Sequence, residues 1–273
     1  MGIESPNFVM LDKDPVSFSE IHQGFTKTPP GQRLSQNTRW GRFQPEHVSN
    51  KEWINHLGVD ANNLEHCRLT YGLAVWFINQ QNQSTYPTKF NQEEQSILKL
   101  TALTHDWPEG ITEKGDVNYE AKTEQDEENE LSVIVSAITS IIGQSYEANE
   151  LSHQVRNCLK NTSSGLGKAF NCIEAIGYLR TALLVLPKST TTTDDRLSQQ
   201  FQMLTGNVLY NSVPRLITYS EEFYPAKKFL SDRKSMITQG FSLPDTSFDG
   251  YGDQKTEKLK HFAAAKAIWQ KWF

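Results

Sequence analysis

The chain is predicted to be all-α, and three observations carry that reading. Long apolar series recur at helical spacing: Leu64, Cys67, Leu69, Leu73, Ala74, Phe77 and Ile78, then Phe170, Ile173, Ile176, Leu179, Leu183 and Leu184. Helix boundaries are marked, by Ser49 or Asn50 ahead of a short helix ending at Leu57 and by Pro187 after the second series. The β-branched run from Leu131 to Ile142 has helical neighbours and no sheet to join, so it is read as helix too.

In chain order, residues 1–32 mix Gly, Pro and Ser around short apolar pieces and read as an irregular lead-in, with Pro29-Pro30-Gly31 as a turn. Arg33, Arg39, Trp40 and Arg42 follow within ten residues. They form either a solvated face with one aromatic packed down or a segment that grips an anion with rigid guanidinium forks. The next helix spans Asn63 to Gln80, with His66 in its first turn, and residues 81–91 connect it to a helix over Gln92 to Thr104. His105 and Asp106 stand at the end of that helix, where Pro108 cannot extend it without cost. Gly110 to Asp116 reads as an exposed loop, and the acidic stretch from Glu120 to Glu130 as a solvated rim. In that stretch Glu124 and Lys122 are adequately explained by a surface role.

Helices over Glu147 to Leu159 and Lys168 to Leu186 follow, joined by the flexible residues 161–167. The second is a core helix that carries Glu174 close to its buried side, unusual for a carboxylate unless it is paired or ligates a metal. Lys188 to Asp195 (KSTTTTDD) reads as a linker. Residues 196–233 are read as helices joined by turns near Pro214 and Pro225, and 240–256 as a long loop. Thr256 to Phe273 forms a terminal amphipathic helix that docks on its own core. The expected division is a lead-in (1–32), a principal helical domain (33–187), the linker (188–195) and a C-terminal helical extension (196–273).

At 273 residues with 22% charged residues and a net charge of -5, the chain gives no reason to expect nucleic acid or anionic lipid as its main partner. A small phosphorylated ligand stays open, because local arginines can outweigh a weak global charge. Cys67, Cys158 and Cys172 show no paired spacing, against a disulfide framework or a Cys-rich zinc site. Met1 to Lys13 lacks the pattern of a signal peptide, and no segment is read as reaching the ~20 apolar residues of a membrane span. The expectation is a cytoplasmic protein with no membrane or nucleic-acid partner, and a homodimer is compatible with it.

The chemistry centres on His105-Asp106. Neighbouring residues on a helix point about 100° apart, so this pair can share one ion only at a helix end or bend, which Pro108 makes available. His66, about forty residues upstream, supplies a second imidazole, and two imidazoles with carboxylates suit a divalent transition metal. By spacing alone, a core histidine that caps or hydrogen-bonds locally explains His105 better than a metal ligand does.

The order of motifs adds to this. Arg39-Trp40, Glu65-His66, His105-Asp106, Glu109, Thr112 and Gly115-Asp116 stand in a sequence that resembles the HD-domain metal phosphohydrolases, and within them the bacterial 5'-deoxynucleotidase branch. The resemblance covers roughly residues 30–187, with about two extra residues between Thr112 and Gly115-Asp116. It implies an HD-like helical bundle and one divalent ion (Co, Mn, Mg, Zn, Fe or Ni) held by His66, His105, Asp106 and a late carboxylate. The family uses an aspartate there, but this chain has none between Asp126 and Asp194, and Glu174 stands at the expected place. The resemblance also assigns catalysis to Glu109 and Asp116 and substrate contacts to Arg39, Trp40 and Thr112. The implied reaction is hydrolysis of (deoxy)nucleoside 5'-monophosphates to nucleoside and phosphate. Hydrolysis of triphosphates or other phosphoesters, and a helical scaffold that has lost its metal, are the alternatives. Oxygenation at a two-iron centre needs further histidines between the doublet and the last carboxylate, where only His153 occurs.

Overall fold

The computed structural model describes residues 18–58, 62–112, 123–143 and 145–273, and among them there is no strand. In chain order the α-helices begin α1 (Phe18–Thr26), α2 (Pro29–Gln36), α3 (Asn50–Leu57), α4 (Asn63–Gln83), α5 (Gln92–Thr104), α6 (Trp107–Ile111) and α7 (Glu124–Ile142). They continue with α8 (Tyr146–Lys160), α9 (Gly165–Val185), α10 (Lys188–Thr191), α11 (Asp195–Tyr219), α12 (Tyr224–Asp232), α13 (Lys234–Gly240) and α14 (Lys255–Trp272). The protein is all-α, as the periodicity predicts, and Leu131 to Ile142 is the second half of α7.

The helix starts have local causes. Asn91 opens α5 with a capping box: its side chain accepts from the Glu94 N–H at 3.0 Å, and its own N–H donates to Glu94 Oε2 at 2.8 Å. Ser49 with Glu52 does the same for α3, and Thr123 with Asp126 for α7. Such a cap contributes about 1 kcal/mol.

Two compact units emerge, each drawing on separated stretches rather than dividing at 188–195. One uses the chain up to Asn37, Asn62–Trp76 and Phe90–Phe170; the other uses Thr38–Ala61, Phe77–Lys89 and Asn171–Phe273.

In the first unit, α1 and α2 occupy residues 18–32 of the irregular lead-in expected from sequence, whose residues 1–17 lie outside the described ones. Phe18, Ile21 and Phe25 fall on one helical face and are buried. The Pro-Pro-Gly triplet is a helix start, not a turn. Thr28 accepts the Gly31 N–H, and Pro29 occupies the first position, where a missing N–H costs nothing. Phe25 stacks on Trp107 at 3.9 Å and 5°, bracing α1 against α6. The same core holds Leu34, Leu64, Cys67, Leu100, Leu103, Ile134, Ile138 and Val155.

In the second unit, α11 is one 25-residue helix with Pro214 inside it, where a turn was expected. Its apolar side, from Leu197 and Phe201 to Val213 and Leu216, is buried and holds the helix through the proline. Pro225 does mark a boundary, in the first turn of α12. Residues 245–254 form 3-10 turns where a loop was expected. The α14 helix docks on its own unit: Phe262 and Trp269 are buried, and the Trp269 indole N–H donates to Thr238 at 3.0 Å.

The expected linker is also structured. Lys188–Thr191 makes a helical turn, Ser189 is buried, and Lys188 donates to the His56 carbonyl. Asp194 then caps α11, one oxygen accepting the Arg196 and Leu197 N–H groups and the other meeting His47 Nε2 at 2.6 Å.

Against the sequence expectation, Gly165–Thr191 is long and apolar enough by length and composition to cross a bilayer. Asn171, Glu174 and Arg180 break the run to the eye but average out over an 18-residue window. Of that window, 78% is buried within the protein, as in a core helix.

The Asp194 cap sets a pH dependence. The His47 hydrogen bond, then the Leu197 N–H, hold its carboxyl below the ordinary aspartate range. A carboxyl lowered on folding contributes stability above its unfolded value and loses it as acid protonates the folded form. Thermal melts of the wild type should therefore fall more steeply below about pH 5 than those of Asp194→Ala. Parallel pH profiles would refute the cap's contribution.

Candidate metal centre

The doublet sits where α5 stops. His105 is the C-cap residue, its N–H still bonded to the Thr101 carbonyl at 2.9 Å, and Asp106 precedes the first residue of α6. Pro108 explains the break: it has no N–H to offer the carbonyl four residues back, and its ring crowds that group. The chain turns into α6 instead, and the two side chains converge, with His105 Nε2 at 3.3 Å from Asp106 Oδ1.

His66 joins them from the first turn of α4, its ring 5.2 Å from that of His105 at 70°. Donor atoms of His66, His105 and Asp106 all lie within 4.8 Å of one another. Two ligands each about 2.1 Å from an ion stand up to about 4.2 Å apart, so this set closes on one ion with a shift of roughly half an ångström. His66 and Asp106 are buried, and the edge of Phe170 covers His105 at 5.3 Å between ring centroids.

The donor chemistry fits a divalent ion. His105 Nδ1 lies 3.0 Å from the Ala102 carbonyl oxygen. A carbonyl can only accept, so Nδ1 carries a proton; in the neutral ring that leaves the Nε2 lone pair on the side of Asp106 and His66. Fixing a ligand's tautomer through its other nitrogen is the usual support of a metal-binding imidazole. Thr70, buried one turn beyond His66, stands 3.5 Å from His66 Nε2.

Glu109 belongs to the same unit. Its Oε2 accepts from Asn63 Nδ2 at 2.6 Å, and Asn63 is fully buried one turn ahead of His66. Sequence reasoning missed Asn63; its position three residues before His66 on one helix was the available signal. Thr112, half-buried, ends α6, with its N–H on the Pro108 carbonyl at 2.8 Å. Arg33 also reaches this helix: its Nε donates to the Gly110 carbonyl at 2.8 Å. Glu124 is exposed in the first turn of α7 and His153 is exposed on α8, while Asp116 and Lys122 lie outside the described residues.

The other expected residues lie in the second unit. Arg39 Cζ stands 5.7 Å from the Trp40 ring and 5.8 Å from that of Tyr178, and the two rings meet edge-on. Trp40 has φ 61°, the one positive value at a non-glycine among the described residues. Such a backbone costs on the order of 1–2 kcal/mol. Glu174 is buried, as its place on the core helix predicts, and its Oε2 accepts from the Tyr178 hydroxyl at 2.7 Å. The three-donor group formed by His66, His105 and Asp106 does not include it.

Comparison with family models, with curated proteins and with solved structures finds no match. The likeness to HD-domain phosphohydrolases accordingly rests on residue order.

The placing of α6 is tight. A Cβ added at Gly110 would stand 2.6 Å from the Pro30 carbonyl oxygen and 3.3 Å from the Leu34 Cβ. Gly110→Ala must therefore push α2 and α6 apart, a strain of about 1–3 kcal/mol. Denaturant melts should report that loss, and an unchanged midpoint would show that the helices yield freely.

Proposed function

We propose that this chain is a divalent-metal-dependent phosphohydrolase that cleaves (deoxy)nucleoside 5'-monophosphates to nucleoside and phosphate. One observation carries the reading: two imidazoles and a carboxylate, mostly buried, converge at a helix break, with the His105 Nδ1 held by a backbone carbonyl and its Nε2 facing Asp106. A buried carboxylate beside two imidazoles is costly without a cation or a full set of hydrogen bonds. The motif order around the doublet supports the reaction class.

His66, His105 and Asp106 would hold the ion, and sequence order adds Glu174 as the fourth ligand. When bound, it supplies Lewis acidity, drawing charge from a phosphoryl oxygen and making water more acidic. Glu109, held by Asn63, accepts a proton from the attacking water. A bond forms between that water's oxygen and phosphorus, the ester P–O bond breaks, and the departing nucleoside oxygen takes a proton. By resemblance, Arg39 neutralises the phosphate, Trp40 walls the nucleoside, Thr112 contacts phosphate or sugar, and Asp116 positions substrate or water.

A second reading, a helical binding protein without catalysis, is favoured by Glu174. Its hydrogen bond from Tyr178 accounts for a buried carboxylate with no ion.

Elemental analysis after supply of cobalt or manganese should find about one ion per chain, lost in His105→Ala and reduced in Glu174→Ala. No retained ion in the wild type would remove the basis for catalysis, and normal retention in Glu174→Ala would remove that residue from the ligand set. Phosphate release from a panel of nucleoside monophosphates, run beside triphosphates, then assigns the substrate. Glu109→Gln should keep the metal and lower turnover by about 10²–10⁴-fold; turnover within a few-fold of wild type would free Glu109 of the role.

A further inference from the structure

Arg33 was read from sequence only as one of several arginines in a solvated or anion-gripping stretch. Three observations set it apart. Its Nε is tied to the Gly110 carbonyl at 2.8 Å, across 77 residues of chain. That carbonyl belongs to the short helix that starts at the Asp106 ligand and bears Glu109. The two helices concerned approach so closely at Gly110 that a Cβ there would strike the Pro30 backbone, so the anchor has little freedom. Yet Arg33 itself is exposed.

A guanidinium carries five N–H donors in a planar fork. The Gly110 carbonyl takes one of them, and among the described residues no acidic side chain pairs with Arg33. An arginine that caps a short helix for stability alone needs nothing more. Here the anchor also removes rotamer freedom from the fork before any ligand arrives, which is the condition for tight anion binding at low entropic cost. Gly110 lies four residues beyond Asp106, about 6 Å along a helix axis, and its carbonyl points to the C-terminal end of α6, so the fork sits past that end, more than one turn from the donor group.

We propose that Arg33 is a substrate-positioning residue that holds a phosphoryl oxyanion of the ligand with its terminal N–H groups. The proposal rests on the phosphohydrolase reading for its ligand class, but not on the metal. Bidentate contact requires a planar fork, so lysine substitutes poorly.

The test is calorimetric titration of the full chain with inorganic phosphate, and with deoxyadenosine 5'-monophosphate on the metal-loaded protein at low temperature. Arg33→Gln should weaken phosphate at least about tenfold, and Arg33→Lys by a few-fold less, with metal content and melting temperature close to wild type. Weakening of the nucleotide alone would place the contact on the esterified phosphate; weakening of both places it on the phosphoryl group itself. Either sustains the proposal. Equal phosphate and nucleotide affinity in wild type and Arg33→Gln would overturn it, as would a wild type that binds neither. If the wild type retains no metal, the reading of the centre fails separately, and phosphate titration of the metal-free pair still decides Arg33. If Arg33→Gln melts early, Arg33→Lys alone decides: wild-type affinity in that variant overturns the proposal.

Discussion

Pro108 has no N–H to give, and the candidate centre depends on that missing hydrogen bond. Were α5 to run on, His105 and Asp106 would diverge around the helix by about 100°. Because it stops, both turn toward His66, and the local backbone does the remaining work. The Ala102 carbonyl holds the His105 proton on the far nitrogen. The Asn91 capping box fixes where α5 starts, and so the register in which it ends. None of these groups is unusual alone; their arrangement around one chain reversal makes a donor set.

That arrangement is braced from outside. The face-to-face stack of Phe25 on Trp107 and the close passage of Pro30 over Gly110 clamp a helix of only five residues, far too short to persist unaided. The segment from Phe18 to Gln36 is thus structural support for α6, and Asn63 ties Glu109 back to α4. In its proposed role as proton acceptor, a Glu109 held on rigid elements would keep its geometry without reorganisation as charge develops.

Much of this was legible in the sequence, for a physical reason. Helix period and capping residues are local, so the limits of α3, α5 and α8 could be read within a few residues, and the doublet's helix-end position followed from Pro108. What failed were cases where tertiary packing overrides a local signal. Pro29-Pro30-Gly31 looks like a turn until Thr28 caps it and Phe25 is buried. Pro214 looks like a break until the apolar face around it is counted, and KSTTTTDD looks like a tether until Asp194 caps α11. At the site, His66, His105 and Asp106 were found because their chemistry is distinctive. Asn63 was missed because an amide on a helix has no signature before its partner is known. Glu174 was singled out for its burial, and its hydrogen bond with Tyr178 is a contact that sequence spacing leaves open.

The three thiols give the chain a further property. All are buried and free of disulfides; burial pushes the Cys158 thiol up to about 12 and the Cys172 thiol well above the ordinary thiol range. Only the thiolate attacks electrophiles at a useful rate, so in the folded state these sulfurs are chemically quiet at neutral pH. The native chain therefore reports its own unfolding: a thiol reagent stays unconsumed while the cores hold and reacts when they open. For the same reason one cysteine introduced on the exposed surface would carry a spectroscopic label against a silent background.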